Sequence, residues 1–145
     1  MVNLLTPATQ DYLEVILQLS EEKNSVRITD IARTLKVTKA SVSQAIDNLR
    51  DEGFVFKEKY GPVTLTVKGK EAAVKVKKTH KIIREFLSKV LKVEADVADR
   101  DACLIEHVVS PQTIKGMIVF LEKGAYEISM DLDLQKALRL LHSDY

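Results

Sequence analysis

Residues 28–68 read ITDIARTLKVTKASVSQAIDNLRDEGFVFKEKYGPVTLTVK, and the spacing of their apolar residues predicts two short helices followed by a β-hairpin. The helices are expected over residues 30–35 and 38–52, with a tight turn between them. Residues 54–56 and 63–66 have the composition of two short strands, and Tyr-Gly-Pro between them supplies the turn. Helix, turn, helix and hairpin in this order are typical of a winged helix-turn-helix.

The exposed face of the 38–52 helix has the chemistry of a DNA-reading surface. Small residues at the start of a helix let its backbone approach the major groove, and Gln can pair with adenine while Lys and Ser reach guanine or phosphate. We therefore expect a double-stranded DNA partner, although an ordinary polar helix face has a similar composition. The candidate DNA-binding residues are Thr38, Lys39, Ala40, Ser41, Ser43 and Gln44 on the helix, with Lys57, Lys59 and Tyr60 near the hairpin tip.

Outside this segment the pattern is helical throughout. Amphipathic stretches predict helices over 7–22, 67–90, 93–109, 111–124 and 132–141. The residues expected to cap helix starts are Thr6, Thr29, Thr38, Thr66 and Ser110. The predicted fold is thus mainly α with a small β wing. It divides into an N-terminal winged helix-turn-helix, residues 1–72, and a C-terminal helical region, residues 73–145.

Composition limits the classes of protein that fit. A chain of 145 residues allows one domain or two small ones, and 5 glycines with 3 prolines favour helices over a turn-rich β fold. The chain shows neither an apolar run long enough to span a membrane nor a signal peptide, so we expect a cytoplasmic protein and no membrane partner. The net charge is only +1, but lysines concentrate in 57–81 and can form a surface that faces phosphate.

Metal-binding side chains recur at helical spacing. Cys103, Glu106 and His107 lie three and four residues apart on one predicted helix face, and Asp11 and Glu14 lie three apart on the first helix. A histidine, number 80, lies midway along the 67–90 helix. Three helices could bring these six groups together around a transition metal. The alternatives are a buried structural Cys beside a surface Glu-His pair, a solvated acidic face, and an ordinary surface or core histidine.

The chain resembles the iron- and manganese-dependent repressors, the diphtheria-toxin-repressor family with its manganese-regulator branch. The resemblance spans roughly residues 6–124. It implies a homodimer that binds operator DNA when loaded with divalent metal, with residues 73–145 as the metal-binding and dimerisation domain. The matching stretches are Asp11-Tyr12-Leu13-Glu14, Ile28-Thr29-Asp30-Ile31-Ala32, Ser41-Val42-Ser43-Gln44, Glu58-Lys59-Tyr60, Leu65-Thr66-Val67-Lys68-Gly69-Lys70, His80 and Cys103-Leu104-Ile105-Glu106-His107-Val108-Val109-Ser110. The implied metal ligands are Asp11, Glu14, His80, Cys103, Glu106 and His107.

The sequence departs from both branches of that family. The manganese branch usually has Glu at the position of Cys103, and the iron branch has Met at the position of Asp11. Arg84 replaces the usual Glu four residues after the histidine, which should disfavour a second metal, although Asp99 could supply a further carboxylate as an additional ligand. The SH3-like domain of the iron branch is not expected in this chain, as in the shorter manganese regulators.

The chemistry of the ligands limits which metals are expected to bind but does not identify a single one. Carboxylate oxygens suit Mn²⁺ and Fe²⁺, whereas the thiol of Cys103 favours Fe²⁺, Co²⁺ or Zn²⁺. We expect Mn²⁺ or Fe²⁺, with Co²⁺ or Zn²⁺ as possible substitutes, and no organic cofactor. The dimer surface is expected on the 94–124 helices, at the apolar positions Leu104, Val108, Ile114, Met117, Ile118 and Leu121.

Three other functions are consistent with parts of this pattern. A winged-helix regulator that does not sense metal would leave the candidate ligands far apart. An interaction module that has lost DNA binding is compatible with the low net charge. An enzyme is not expected, because the sequence has no phosphate-binding glycine loop, nucleophile elbow or HExxH motif.

Overall fold

The computed structural model describes residues 5–124 and 132–141. It confirms a mainly helical fold with a small β wing. The elements in chain order are α1 Pro7–Glu22, α2 Ile28–Leu35, α3 Lys39–Asp51, β1 Val55–Lys57, β2 Val63–Leu65, α4 Val67–Glu85, α5 Ala95–Ile105, α6 Pro111–Lys123 and α7 Leu132–Leu141, with a π-helical segment at Phe86–Val90 that continues α4.

Side-chain caps define where four of the helices begin, and all four were expected from the sequence. A cap oxygen accepts the backbone N–H three residues along, which satisfies a donor that has no partner within the helix. Pro follows the cap of α1 and of α6, where its missing N–H costs nothing. The caps are Thr6, Thr38, Thr66 and Ser110, with oxygen-to-nitrogen distances of 3.0–3.2 Å.

The start of α2 and both ends of α5 were predicted wrongly, whereas the 67–90 helix has its predicted extent but changes geometry near its end. α2 begins at Ile28 rather than after Thr29, because the Asp30 carboxylate accepts the backbone N–H of Arg27 at 3.0 Å and Arg27 is the cap. The 67–90 helix keeps α-helical geometry only to Glu85. The 93–109 helix is α-helical only from Ala95 to Ile105, so two of the candidate metal ligands, Glu106 and His107, lie just beyond its end.

The wing is a two-stranded antiparallel sheet in which Phe56 pairs with Thr64. It is held closely against the start of α4. Thr66 Oγ1 donates to the carbonyl of Gly53 at 2.7 Å, and the Thr66 N–H donates to the carbonyl of Phe54 at 3.0 Å. Gly69, one turn into α4, faces the same Phe54 carbonyl. The wing and the long helix therefore approach backbone to backbone.

A single core joins the winged helix to the long helix. α1 packs along α4 on one side and against α2 and β2 on the other. Its buried residues Leu13, Ile16 and Leu17 meet Ile31 of α2 and residues of α3, the hairpin and α4 in one cluster. α1 is thus shared between the winged helix and the helices that follow. The core members are Leu13, Ile16, Leu17, Leu19, Val26, Ile31, Ala32, Val42, Ile46, Leu49, Phe54, Val55, Val63 and Ala73.

The second half of the chain packs around α4. Ala98 and Ala102 of α5 are fully buried, so small side chains bring α5 close to α4. α6 packs against α4, and the rings of Phe86 and Phe120 meet edge to face at 5.8 Å. None of the described helices is both long and apolar enough to cross a membrane.

Candidate metal centre

The six predicted ligands come together where α1, α4 and the end of α5 meet. α1 presents Asp11 and Glu14, α4 presents His80, and α5 presents Cys103 in its last turn. Because α5 ends at Ile105, the next two residues occupy the turn that follows, and both face inward: Glu106 is 8% exposed.

One group of donors surrounds His107. Its Nε2 lies 2.9 Å from Asp11 Oδ1 and 3.5 Å from Glu106 Oε1. The donor atoms of these three residues all lie within 4.8 Å of one another. An imidazole and two carboxylates at this separation can chelate a divalent cation.

A second group surrounds His80. Its Nε2 lies 3.0 Å from Asp99 Oδ1, and its Nδ1 lies 2.7 Å from Glu106 Oε2 and 3.8 Å from Cys103 Sγ. Arg84 Nε approaches the same Asp99 oxygen at 3.4 Å, so this carboxylate is already faced by a cation. Glu106 belongs to both groups, with one oxygen toward each histidine.

Protonation of the carboxyls follows from this crowding. Burial and the nearby Glu14 carboxyl raise the pKa of Glu106 to about 7, although His80 acts in the opposite direction. Burial also raises the pKa of Glu14, whose side chain is hydrogen-bonded to Glu106. Two carboxyls that share a hydrogen bond in a buried place favour keeping one proton between them. The raised pKa values of Glu14 and Glu106 therefore favour their protonated forms when no cation is bound.

The pKa values of the Cys103 thiol and of the His80 imidazole are raised as well. Burial, and then the negative charge of Glu106 and Asp99, raise the pKa of the Cys103 thiol to about 11. Burial alone would lower the pKa of His80, but its hydrogen bonds to Asp99 and Glu106 outweigh this, and the pKa is raised. A cation can replace these protons, since metal binding requires deprotonated ligands. The donor set thus fits a divalent transition metal.

The raised pKa of Glu106 gives a first testable prediction. Its pKa is about 7 in the fold against 4.5 for a free glutamate, so the folded state binds more protons than the unfolded chain between these values. The free energy of unfolding of the metal-free protein should therefore fall as the pH rises from 4.5 to 7, and the part of this loss that is due to Glu106 should level off above 7. Glu14 and His80 act with the same sign.

This dependence is measured by urea unfolding in chelator across that pH range. Glu106→Gln removes the titrating group and should flatten the decline, whereas Glu58→Gln, on the exposed wing, should leave it as in the wild type. An identical pH dependence for wild type and Glu106→Gln would contradict this description of the buried carboxyl.

The candidate DNA-binding residues lie on a different surface. All six candidates on α3 and its cap are exposed, while Val42, Ile46 and Leu49 of the same helix are buried in the core. Gln44 Nε2 donates to Asn48 Oδ1 at 3.3 Å on this exposed face. The side chains that could read bases are therefore accessible. An open groove of about 310 Å³ separates α3 from the wing.

The three wing candidates differ in their surroundings. Tyr60 is 85% exposed at the tip with a positive φ of 62°, and Lys59 Nζ lies 5.4 Å from its ring. Lys57 is only half-buried, and its ammonium group donates to the carbonyls of Glu58 at 2.7 Å and Gly61 at 2.9 Å. Lys57 therefore braces the turn of the wing from within.

Sequence reasoning missed two residues, one beside the wing and one at the candidate metal centre. Arg50, in the last turn of α3, lines the groove between helix and wing and pairs with Asp47 at 3.1 Å. Its position on the exposed face of the predicted helix was the available signal. Gln10, beside Asp11, is buried and contacts His107 Nδ1 at 2.8 Å. A lone glutamine on an amphipathic helix gave no such signal.

Comparison with known proteins places the chain in a family. Residues 4–63 match the family model for the N-terminal DNA-binding domain of iron dependent repressors, and residues 66–127 match the model for their metal-binding and dimerisation domain. The boundary between the two matches lies near the start of α4.

Individual relatives agree with these matches. The chain is 32% identical over 120 residues to an uncharacterized HTH-type transcriptional regulator of Methanocaldococcus jannaschii, covering 82% of this chain and 96% of the relative. It is 33% identical to the HTH-type transcriptional regulator MntR of Bacillus subtilis over 77% of this chain and 78% of the relative.

A solved structure supports the fold as well. A manganese-dependent transcriptional repressor in complex with manganese superimposes with a TM-score of 0.72 at 30% identity, over 79% of this chain and 52% of that one. This chain thus spans about half the length of that repressor. With a DNA-binding domain and a metal-binding and dimerisation domain both matched in order, the chain belongs to the iron dependent repressor family of metal-dependent transcriptional regulators.

Proposed function

We propose that this protein is a cytoplasmic repressor of metal-ion homeostasis that binds operator DNA as a homodimer when it is loaded with Mn²⁺ or Fe²⁺. The proposal rests mainly on one observation, that Glu106 contacts both histidines and Glu14 and so joins the two groups of donors. The members of this cluster come from α1, α4 and the end of α5. The ligands would be Asp11, Glu14, His80, Cys103, Glu106 and His107, with Asp99 as a possible addition.

α1 would connect this cluster to the DNA-binding elements. Asp11 and Glu14 face the centre, while Leu13, Ile16 and Leu17 of the same helix belong to the core of the winged helix. A bound divalent cation would supply the positive charge that the buried carboxyls lack. Fixing the two acidic residues against Glu106 and His107 would then fix α1, and with it the position of α3.

Exposed apolar residues support the homodimer. Leu104 is 73% exposed and Val108 is 81% exposed, although both are large and apolar. The apolar residues predicted for the dimer surface on α6 are only half-buried, and they are Ile114, Met117, Ile118 and Leu121. A second copy of the chain would cover this face, so that two copies of α3 could contact two half-sites one helical turn of DNA apart.

The wing and α3 are expected to contribute differently to DNA binding. Lys59→Ala removes an exposed ammonium group and should weaken binding to all duplexes while lowering the slope of log affinity against log salt by about one. Gln44→Ala should instead relax the preference for one base pair, at a cost of about 1–3 kcal/mol on the preferred duplex.

Fluorescence anisotropy on a labelled duplex at several salt concentrations measures both effects. Lys123→Ala, an exposed lysine at the end of α6, is the matched control and should change neither. A wild-type salt slope for Lys59→Ala would exclude the wing from the interface, and unchanged base preference for Gln44→Ala would exclude that face of α3.

A metal series on the wild-type protein and on one variant, Cys103→Glu, tests the proposed function. The duplex is selected from random sequence by the protein in excess Mn²⁺, and its affinity is then measured with Mn²⁺, Fe²⁺, Co²⁺, Zn²⁺ and chelator. Cys103→Glu replaces the soft ligand by a hard one and should shift the response toward Mn²⁺. Equal affinity under all conditions would favour the second candidate, a winged-helix regulator that does not sense metal.

A further inference from the structure

Gln10 occupies an unusual place for an amide side chain. It is 4% exposed, and among the described residues only Gln10 and Glu106 are buried polar or charged side chains. It precedes the candidate ligand Asp11 on α1 but points to the other side of His107. A buried amide is costly unless its donor and its acceptor both find partners.

Both ends of the Gln10 amide do find partners, and the partners determine its orientation. Nε2 lies 3.2 Å from the carbonyl oxygen of Leu5, which can only accept a hydrogen bond. Oε1 therefore faces His107 Nδ1, at 2.8 Å. Since an amide oxygen can only accept, the imidazole must carry a hydrogen on Nδ1.

This hydrogen bond leaves the other ring nitrogen for the metal centre. His107 Nε2 faces Asp11 Oδ1 at 2.9 Å and Glu106 Oε1 at 3.5 Å. With Nδ1 holding its hydrogen toward Gln10, Nε2 is the atom whose lone pair can be offered to a cation. Each nitrogen of His80, by contrast, faces a carboxylate.

We infer that Gln10 is a positioning residue of the metal centre, which holds His107 in the tautomer and ring orientation that present Nε2 to the cation. The inference rests on the proposed function and adds to it a residue outside the ligand set. Partners of this kind on a ligating histidine change metal affinity by about 10- to 100-fold when they are removed.

Three variants separate the hydrogen bond from side-chain volume. Gln10→Leu keeps the size but removes the acceptor, and it should weaken Mn²⁺ binding by about 10- to 100-fold. Gln10→Glu keeps an acceptor toward Nδ1 and should restore most of the affinity. Gln18→Leu, an exposed glutamine on the same helix that contacts only Glu22 in the described hydrogen bonds, is the matched control and should bind as the wild type does.

The test uses the full chain without DNA. Mn²⁺ affinity is measured by the electron paramagnetic resonance signal of the free ion, and zinc-loaded protein is examined by ¹⁵N-resolved NMR for the Nδ1–H of His107. A role in folding alone would not change which nitrogen carries the hydrogen. Urea unfolding in chelator checks that each variant folds. Gln10→Met, which also lacks the amide, is measured in parallel, so that the effect of losing the hydrogen bond can still be determined if Gln10→Leu misfolds.

The expected result is a protected Nδ1–H in the wild type and in Gln10→Glu, and its loss together with the fall in affinity in Gln10→Leu or Gln10→Met. Wild-type affinity and an unchanged Nδ1–H in a folded Gln10→Leu or Gln10→Met would overturn the role of Gln10 while leaving the proposed function standing. Failure of the wild type itself to bind Mn²⁺ or Zn²⁺ would instead overturn the metal site.

Discussion

Glu106→Gln is expected to abolish the metal response of DNA binding while the protein remains folded. Glu106 is the member that both donor groups share, with Oε2 at 2.7 Å from His80 and Oε1 at 3.5 Å from His107. Glutamine has nearly the same shape but carries no charge and offers one oxygen in place of two. The loss of metal affinity should exceed the roughly 10- to 100-fold effect of removing a residue that only orients a ligand.

Metal titrations of DNA binding measure this effect directly. The Glu106→Gln protein should bind the selected duplex with the same weak affinity in Mn²⁺ and in chelator. His107→Ala should behave in the same way, whereas Asp101→Asn, an exposed carboxylate on α5, should keep the full response. A wild-type response in both Glu106→Gln and His107→Ala would show that the metal binds elsewhere.

Gly69→Ala is expected to destabilise the fold by about 3 kcal/mol, which is large for the addition of one methyl group. A Cβ at this position would lie 1.9 Å from the carbonyl oxygen of Phe54 and 2.9 Å from its carbon. The obstacle is backbone, and that carbonyl already accepts the N–H of Thr66 at 3.0 Å. Either α4 or the wing must move, so the strain cannot be relieved by a side-chain rotation.

Gly116→Ala provides the matched control for that substitution. Gly116 lies within α6 and an added Cβ would meet nothing within 4 Å. Alanine loses less backbone entropy than glycine in a helix, so this variant should be neutral or more stable by up to about 1 kcal/mol. Urea unfolding of both variants in chelator gives the comparison, and equal stabilities would contradict the close approach of α4 to the wing.

Much of the fold was predictable because its signals are local. Thr6-Pro7 and Ser110-Pro111 act within three residues of themselves, and the structure confirms both starts. The start of α2 was misplaced because Asp30 also acts locally, by accepting the N–H of Arg27, and Thr29 offered a competing cap. The change to π-helical geometry after Glu85 is adjacent to the packing of Phe86 on Phe120, which the sequence pattern does not reveal.

The candidate site was only partly predictable, for a related reason. The spacing along the predicted helix placed Cys103 and Glu106 on one face. The central position of Glu106, however, depends on α5 ending at Ile105, directly before it. The hydrogen bond of Gln10 spans 97 positions in the chain, so no local pattern could indicate it. The bracing role of Lys57 follows from two carbonyls at the wing tip, whose direction depends on the turn itself.

We propose that metal held by the α1, α4 and α5 cluster controls DNA binding by this protein. The measurement that tests it most directly is the affinity of the wild-type protein for its selected duplex in excess Mn²⁺ and in chelator at one salt concentration. A coupling free energy in the usual range of about 1–3 kcal/mol corresponds to a 5- to 150-fold difference, and the account predicts tighter binding with metal. Equal affinity with Mn²⁺ and with chelator would contradict it.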